Sequence, residues 1–305
     1  MDTARFGTVV TAMVTPMRAD GAVDLDETKR LASWLCDRGS GGLVVCGTTG
    51  EGPTLTDEEK LALFAAVVSA VGGRAKVIAN TGGNDTRRSV EFTKRAAACG
   101  VDGILAVGPY YNKPPQAGLI GHFTAIADAA RLPVMIYNIP GRTAVNVLPE
   151  TLLTLASHPD IVAVKESSGD LMQIAEICAR APRGFEVYSG DDHLALPVAA
   201  VGGVGVVSVA SHLAGDHIKS MLDLHRAGDV EAAASHHQRL LPLIRALFAV
   251  TSPIPVKAAV GKLGFAVGRC RPPLCELSAE QQRALDAAIA PWTSTLADGR
   301  PLTRT

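Results

Sequence analysis

The stretch IVAVKESSG, from Ile161 to Gly169, places a lysine directly after four apolar residues. An uninterrupted apolar run is typical of a strand that is buried on both faces, as in a parallel sheet. Lys165 therefore stands where such a strand ends. It either emerges into solvent there or points into a site that requires an amine, and the rest of the sequence decides between the two.

The composition indicates a globular chain with a large core. Of the 305 residues, 47% are hydrophobic and 19% are charged, which is typical of a folded protein. The net charge is −1 without a basic patch, so nucleic-acid binding has no electrostatic support. No apolar run reaches the roughly 18 residues of a membrane span, and the opening MDTARFGTVV lacks the pattern of a signal peptide. We therefore expect a cytoplasmic protein without a membrane or nucleic-acid partner.

Cysteines and histidines give no sign of a metal site. The six cysteines have neither C-x-x-C pairs nor flanking histidines at zinc spacing. We interpret them as small buried side chains in a reducing compartment. The neighbours His236 and His237 are interpreted as a solvated pair on a helix, and no histidine is assigned a ligand role.

Short apolar runs alternate with amphipathic stretches almost as far as residue 225. Strands are predicted at residues 8–13, 43–45, 77–79, 104–107, 134–137, 161–164, 185–188 and 204–207. Helices are predicted between and after them at residues 25–38, 57–71, 86–99, 117–130, 149–156, 171–180, 194–201 and 213–225. This strict alternation predicts a parallel sheet with helical crossovers.

The number of repeating units favours a closed barrel over a doubly wound sheet. Eight strand–helix units within about 225 residues match a (β/α)8 barrel. No G-x-G-x-x-G follows the first strand, which removes the main reason to prefer a dinucleotide-binding fold. We predict a TIM barrel over residues 1–227, with residues 228–305 forming a C-terminal helical region packed on it.

Conspicuous polar motifs follow the predicted strands, at the end of the barrel where active sites lie. They are GTTGEG at residues 47–52, GPYYNKPP at 108–115, YNIPGRT at 137–143, the dipeptide Lys165-Glu166, and SGDD at 189–192. We expect these five loops to converge on one mouth.

Lys165 is the candidate nucleophile of this mouth. A lysine in largely apolar surroundings loses hydration, which favours its neutral amine. A neutral amine can attack a ketone and form a Schiff base, which then acts as an electron sink. The alternative is a lysine that reaches solvent or pairs with an acid. Hydroxyl groups from other strand ends favour the catalytic interpretation.

Three other motifs carry groups that suit a small keto acid. The glycines of GTTGE allow close backbone approach, so N–H groups and threonine hydroxyls can bind a carboxylate, although the motif could also be a simple turn. Two of the four tyrosines lie in the PYYN loop and Tyr137 ends a strand that faces it, which favours a proton relay over packing. Arg142 is interpreted as a clamp for a second carboxylate rather than a solvated charge.

Together, GTTGE, PYYNKP, YNIPGRT, VAVKE, YSGDD and GVGVVSV resemble the dihydrodipicolinate synthase family of pyruvate-dependent class I aldolases. The resemblance runs from about Gly7 to Lys257. It implies a lyase that condenses pyruvate with L-aspartate 4-semialdehyde to 4-hydroxy-tetrahydrodipicolinate, in diaminopimelate and lysine biosynthesis, with no metal or organic cofactor. Arg142 carries the assignment within the superfamily, because N-acetylneuraminate lyases and keto-deoxy sugar-acid aldolases usually lack that arginine.

The resemblance implies a proton relay around the Schiff base. Lys165 would bind pyruvate covalently, and the hydroxyls of Thr48, Tyr137 and Tyr111 would move protons to and from it. Family members take the tyrosine equivalent to Tyr111 from a neighbouring subunit. The resemblance therefore implies an oligomer, most often a homotetramer built as a dimer of dimers and in some members a dimer.

The resemblance also implies how the substrates are held. Thr49 would bind the pyruvate carboxylate, Arg142 the carboxylate of the semialdehyde, and the carbonyl of Val207 would line the site. Three alternatives stay open: a sister aldolase, a non-catalytic paralogue that binds a keto acid, and a phosphate- or flavin-binding barrel. The last would need a glycine-rich phosphate loop late in the barrel, to which VGGVG at residues 201–205 is a weak match.

Many members of this family are inhibited by lysine, and the resemblance indicates whether this chain should be. Lysine-sensitive members have small polar and histidine contacts after GTTGE and an acid on the helix after the third strand. This sequence has Lys60 in the first segment and aligns Arg88 with the acid. Like charges disfavour binding of the lysine ammonium, so we expect insensitivity to lysine.

Overall fold

Eight parallel strands form the centre of the protein. The computed structural model describes residues 4–293, and within them the strands pair in chain order and the eighth pairs with the first, which closes the sheet. The strands are β1 (Val9–Ala12), β2 (Gly42–Val45), β3 (Lys76–Asn80), β4 (Gly103–Val107), β5 (Val134–Asn138), β6 (Ile161–Glu166), β7 (Glu186–Ser189) and β8 (Gly205–Ser208). The predicted (β/α)8 barrel is confirmed.

Helices cover the outside of this barrel and continue beyond it. They are α1 (Leu25–Asp37), α2 (Asp57–Val71), α3 (Thr86–Ala97), α4 (Gln116–Ala130), α5 (Pro140–Thr143), α6 (Pro149–Leu155), α7 (Leu171–Arg180), α8 (Ala195–Ala200), α9 (Ser211–Arg226), α10 (Val230–Leu247), α11 (Ile254–Lys262) and α12 (Ala279–Thr293). The one-turn helix α5, inside the YNIPGRT motif, was not predicted, because four residues are too few to show a helical period.

Local signals set the helix ends where the sequence predicts them. Thr56 and Glu59 form a reciprocal capping box at the start of α2, with each side chain accepting from the other residue's backbone N–H. Gly39 and Gly100 follow α1 and α3 with φ of +89° and +81°, a conformation that glycine adopts without strain.

Two apolar layers lie on the two faces of the closed sheet. The inner layer takes at least one side chain from every strand, among them Val10, Val44, Ile78, Leu105, Met135, Ala163, Tyr188 and Val207. The alternate residues point outward into a larger cluster shared with the helices. Because side chains alternate along a strand, the inner layer also fixes which strand-end residues face the mouth.

The C-terminal helices are joined to the barrel by polar contacts. The Arg271 guanidinium bridges the Glu59 carboxylate on α2, at 2.9 Å, and the carbonyl of Gly21, at 2.8 Å. The buried ammonium of Lys257 on α11 contacts the Glu51 carboxylate after β2 at 2.6 Å. Residues 294–305 of the predicted C-terminal region lie outside the described residues.

Two predictions about surface chemistry are corrected. His236 and His237 are half-buried, and the ring of His236 stacks on that of His217 at 4.1 Å between centroids, so the pair is not solvated. The six cysteines are free, but only Cys46 is fully buried and Cys275 is exposed. Within residues 4–293, no helix is long and apolar enough to cross a membrane, and no cluster of His, Cys, Asp or Glu has the arrangement of a metal site.

His212 on α9 ties the ends of β1 and β8 together. Its Nε2 atom accepts the N–H of Val14 at 3.2 Å, and its Nδ1 atom lies 2.9 Å from the Val209 carbonyl. An imidazole that accepts at one nitrogen and donates at the other is neutral. Burial lowers the pKa of His212 from 6.5 to about 4, which the hydrogen bond to Val209 partly opposes.

We predict that His212 makes the protein acid-sensitive between pH 6.5 and pH 4. The folded state binds this proton less tightly than the unfolded state, so the contribution of His212 is fully present above the unfolded pKa and is lost as pH falls. Its loss by pH 4.5 is about 2–3 kcal/mol. In urea titrations at pH 7.5 and 4.5, His212→Gln should lose less unfolding free energy than the wild type. His225→Gln, on the same helix, is the control. Equal losses in the wild type and His212→Gln would contradict this.

Candidate active site

Lys165 and Tyr137 are neighbours across two strands inside the barrel. They are register partners on β6 and β5, and Lys165 also pairs with Tyr188 on β7. Lys165 is only 6% exposed, and its Nζ atom lies 4.0 Å from the centre of the Tyr137 ring. The strand therefore continues through the lysine instead of ending before it, and the amine stays inside the protein.

The loop after β7 is shaped around the lysine side chain. A Cβ atom at Gly190 would lie 3.0 Å from Cε of Lys165 and 1.8 Å from Oγ of Ser167, so only glycine leaves both in place. The residue after Gly190 is Asp191. Burial raises the pKa of its carboxyl, whereas the nearby charges of His193 and Lys165 lower it. The SGDD motif identifies this loop in the sequence, but it does not show that Gly190 packs against the lysine side chain.

Glu166 points to the opposite face from Lys165 and braces the strand ends. Its buried carboxylate accepts from the amide of Asn138 at 3.0 Å, the backbone N–H of Ser168 at 2.6 Å and the amide of Gln173 at 3.2 Å. Burial raises the pKa of Glu166, and these hydrogen bonds oppose the rise. This network fixes β5 and β6 against each other at the level of Lys165 and Tyr137.

The GTTGE loop after β2 folds back on itself. The last residue of the motif, Glu51, has a left-handed backbone conformation with φ of 56°. The N–H of Glu51 donates to the Thr48 carbonyl at 3.1 Å. A Cβ atom at Gly52 would lie 2.2 Å from the Cys46 carbonyl oxygen, so this position also requires glycine. The loop thereby presents Thr48 toward the mouth, while Thr49 beside it is buried.

A cavity of about 360 Å³ opens at the carboxyl ends of the strands. Thr48, Tyr110, Tyr137 and Arg142 are among the residues that line it. Among the described residues, its wall includes Tyr137 but not Lys165, which touches the Tyr137 ring. Three of the five predicted motifs, GTTGEG, GPYYNKPP and YNIPGRT, contribute to this wall, whereas Lys165-Glu166 and SGDD do not within residues 4–293.

The other three predicted site residues lie outside the wall of this cavity as formed by residues 4–293. Thr49 is buried within its loop, and Val207 is fully buried in the inner layer on β8. Tyr111 is 89% exposed, with φ of 76°, so a single chain does not bring it to Lys165. Its neighbour Tyr110 lines the cavity instead.

Sequence reasoning missed two polar residues of the cavity wall, Asn80 and Lys60. Asn80 ends β3, and its amide donates to the Cys46 carbonyl at 3.0 Å, which braces the start of the GTTGE loop. Lys60 reaches the wall from α2, with its Nζ atom 5.4 Å from the centre of the Phe92 ring. The only signal for Asn80 is its place at a strand end. Lys60 is singled out in the sequence only for the response to lysine, and its place within a helix gives no sign that it lines this cavity.

Arg142 is held from outside the barrel. It lies on α5, and its Nη2 atom donates to the carbonyl of Ser252, just before α11, at 3.3 Å. The guanidinium is thus placed at the mouth, and within residues 4–293 this bond occupies only one of its five N–H donors.

Comparison with known proteins identifies the family. The model of the Dihydrodipicolinate synthetase family matches residues 5–291. The chain belongs to this family.

Named relatives and solved structures of the dihydrodipicolinate synthetase family are similar to this chain over almost its whole length. The 4-hydroxy-tetrahydrodipicolinate synthase 1 of Halalkalibacterium halodurans is 53% identical over 286 residues, covering 94% of this chain and 97% of that protein. The Cyanidioschyzon merolae enzyme with lysine bound is 47% identical with a TM-score of 0.93, covering 94% of this chain and 98% of that one. The chloride-inhibited dihydrodipicolinate synthase of Acinetobacter baumannii, complexed with pyruvate, is 35% identical with a TM-score of 0.90, covering 93% and 98%.

Proposed function

We propose that this chain is a 4-hydroxy-tetrahydrodipicolinate synthase, which condenses pyruvate with L-aspartate 4-semialdehyde. The observation that carries the proposal is the buried Lys165 against Tyr137, beside a cavity that presents Thr48 and Arg142. A relative that is 53% identical over 94% of the chain bears this enzyme's name. The reaction needs no metal or organic cofactor, and its place in lysine and diaminopimelate biosynthesis makes the cytoplasm the proposed location.

The proposed chemistry begins at the Lys165 amine. It attacks C2 of pyruvate, water leaves, and a Schiff base forms. Loss of a proton from C3 gives an enamine, whose C3 attacks the aldehyde carbon of the semialdehyde. The amino group of the semialdehyde then attacks C2, closes the ring and releases Lys165. The barrel interior keeps this amine out of bulk water and against the Tyr137 ring, so that pyruvate meets it inside the protein.

The substrates are proposed to be held from two sides. The GTTGE loop, with Thr49 and its backbone N–H groups, would bind the pyruvate carboxylate, and the Val207 carbonyl would line the inner wall. Arg142 would bind the carboxylate of the semialdehyde through its free donors. An arginine suits this role because its planar fork binds a carboxylate with two parallel hydrogen bonds.

The proton relay is proposed to need a second copy of the chain. Tyr137 and Thr48 lie at the mouth, whereas Tyr111 stands exposed with a backbone conformation that is uncommon for a tyrosine. An exposed aromatic side chain on a backbone of this kind is suited to contact a neighbouring subunit. There it would complete the proton relay of that subunit's active site. We therefore propose a homo-oligomer, a dimer or a tetramer built as a dimer of dimers.

Lys165 should be the residue that traps pyruvate. Borohydride added with pyruvate should attach one reduced pyruvate unit per chain, located by peptide mass spectrometry on the peptide that contains Lys165. Lys165→Ala should trap none and should lose activity by orders of magnitude, because covalent catalysis requires the amine. Lys113→Ala, which removes an exposed lysine of a neighbouring loop, is the matched control. Trapping on another lysine in the wild type would contradict the assignment.

Arg142 should act on the second substrate alone. Arg142→Ala should raise the KM for aspartate semialdehyde at least about thirtyfold, which corresponds to about 2 kcal/mol for a lost charge pair. The KM for pyruvate should stay nearly constant. Arg142→Lys keeps the charge and should recover only part of the affinity because it lacks the planar fork. Equal effects on both KM values would show a structural role, and turnover of N-acetylneuraminate or keto-deoxygluconate instead would favour a sister aldolase.

Lysine at millimolar concentration should leave the activity nearly unchanged. A second cavity, of about 170 Å³, is lined by Lys60, Asn84, Arg88 and Tyr110 and also by the acids Asp57 and Asp85. The two cations disfavour an incoming ammonium, and the two acids are already engaged, Asp85 as the N-cap of α3 and Asp57 beside Arg88. Asp57 lies 3.7 Å from the Arg88 guanidinium, whose side chain is 77% exposed, and a pair with such access to water offsets the positive charge only weakly.

Enzyme assays with added lysine test this, with the pyruvate and semialdehyde concentrations held near their KM. Arg88→Glu alone should not create control because Lys60 remains. Half-inhibition of the wild type by sub-millimolar lysine would contradict the prediction.

A further inference from the structure

A buried ion pair joins the C-terminal helices to the GTTGE loop. The Nζ atom of Lys257 on α11 lies 2.6 Å from Oε1 of Glu51, the last residue of the motif, and the two side chains are 2% and 0% exposed. The residues are 206 positions apart in the chain. The contact therefore connects two regions that the sequence gives no reason to pair.

Each residue of this pair has a further hydrogen-bond partner. Lys257 also donates to the Arg269 carbonyl at 2.9 Å, and Oε2 of Glu51 accepts the backbone N–H of Arg271 at 2.7 Å. Burying two charges costs desolvation energy that their attraction often only balances, so apolar residues of similar volume could stabilise the fold as well. The three hydrogen bonds do give the pair a fixed geometry, and that geometry is imposed on Glu51.

Fixing Glu51 fixes the turn that carries the substrate-binding threonines. Glu51 is left-handed, and its N–H donates to the carbonyl of Thr48 at 3.1 Å. Movement of the Glu51 side chain would shift this backbone hydrogen bond and hence the position of Thr48 and Thr49. The interaction reaches the loop from behind, because Lys257 itself does not line the cavity formed by residues 4–293.

The same C-terminal segment also contacts the other side of the mouth. The Ser252 carbonyl, five residues before Lys257, accepts from the Arg142 guanidinium. The two contacts differ in one respect: the Ser252 contact uses a backbone carbonyl, whereas the Lys257 contact uses a side chain and can be removed by substitution.

We propose that Lys257 is a positioning residue: through Glu51 it holds the GTTGE backbone in the conformation that binds the carboxylate of pyruvate. The inference rests on the proposed function, since it assigns the loop to pyruvate. On this proposal, the C-terminal helical region helps to position the residues that bind pyruvate. Loss of the Lys257 ammonium should weaken pyruvate binding while leaving Lys165, Tyr137 and Arg142 in place.

The test compares Lys257→Met with a lysine from the same helix. Lys262 pairs with Asp286 at 2.9 Å on the surface, with side chains 50% and 40% exposed, so Lys262→Met is the matched control. The double variant Glu51→Gln/Lys257→Met removes both charges and leaves no unpaired buried ion if the single variant fails to fold. Circular dichroism and thermal denaturation establish that each variant is folded at the assay temperature.

Two readouts separate positioning from general destabilisation. In folded Lys257→Met or the double variant, the KM for pyruvate and the concentration giving half-maximal borohydride trapping should rise at least tenfold. The KM for aspartate semialdehyde should change less than threefold, and Lys262→Met should match the wild type in all three values. A folded variant with unchanged pyruvate values, or with equal rises in both KM values, would overturn the inference. Failure of the wild type to trap pyruvate would instead overturn the proposed function.

Discussion

The site depends on one constraint, the burial of a lysine amine inside a closed parallel barrel. Side chains alternate along each strand, so the register that seals the apolar inner layer also sends Lys165 and Tyr137 inward at adjacent positions. A shift by one residue would exchange Lys165 with Glu166 and place a carboxylate inside. The buried hydrogen bonds of Glu166 with Asn138 and Gln173 therefore stabilise the strand register as well as the strand ends.

The residues around this amine are held by parts of the chain that lie far from it in sequence. Gly190 makes room for the lysine side chain, and Asn80 braces the loop that begins at Cys46. The C-terminal segment reaches the mouth twice, through Ser252 and Lys257. These contacts connect the segment that starts α11 directly to the mouth, although it lies beyond the last strand–helix unit of the barrel.

The sequence predicts the barrel and most of the mouth because both follow from short-range patterns. Apolar runs and helix caps place the strands and helices, and motifs at strand ends place Thr48, Tyr137, Lys165 and Arg142 near one another. The end of β6 was placed two residues early, because a charged pair looks like the start of a loop whenever its long-range packing is unknown.

Contacts between distant segments lie beyond such patterns. The pairing of Lys257 with Glu51, the half-burial of His236 and the wall position of Lys60 depend on tertiary packing. The exposure of Tyr111 is a separate case, since its proposed place in the relay is on another copy of the chain. A structure of the assembled oligomer tests the proposed role of Tyr111 in the proton relay.

A crystal structure of the wild type with pyruvate tests the central claim most directly. The account predicts continuous density from Nζ of Lys165 to C2 of pyruvate, with the carboxylate against the GTTGE backbone and the hydroxyl of a neighbouring copy's Tyr111 beside Tyr137. Pyruvate bound without a covalent bond, or joined to a different lysine, would contradict it.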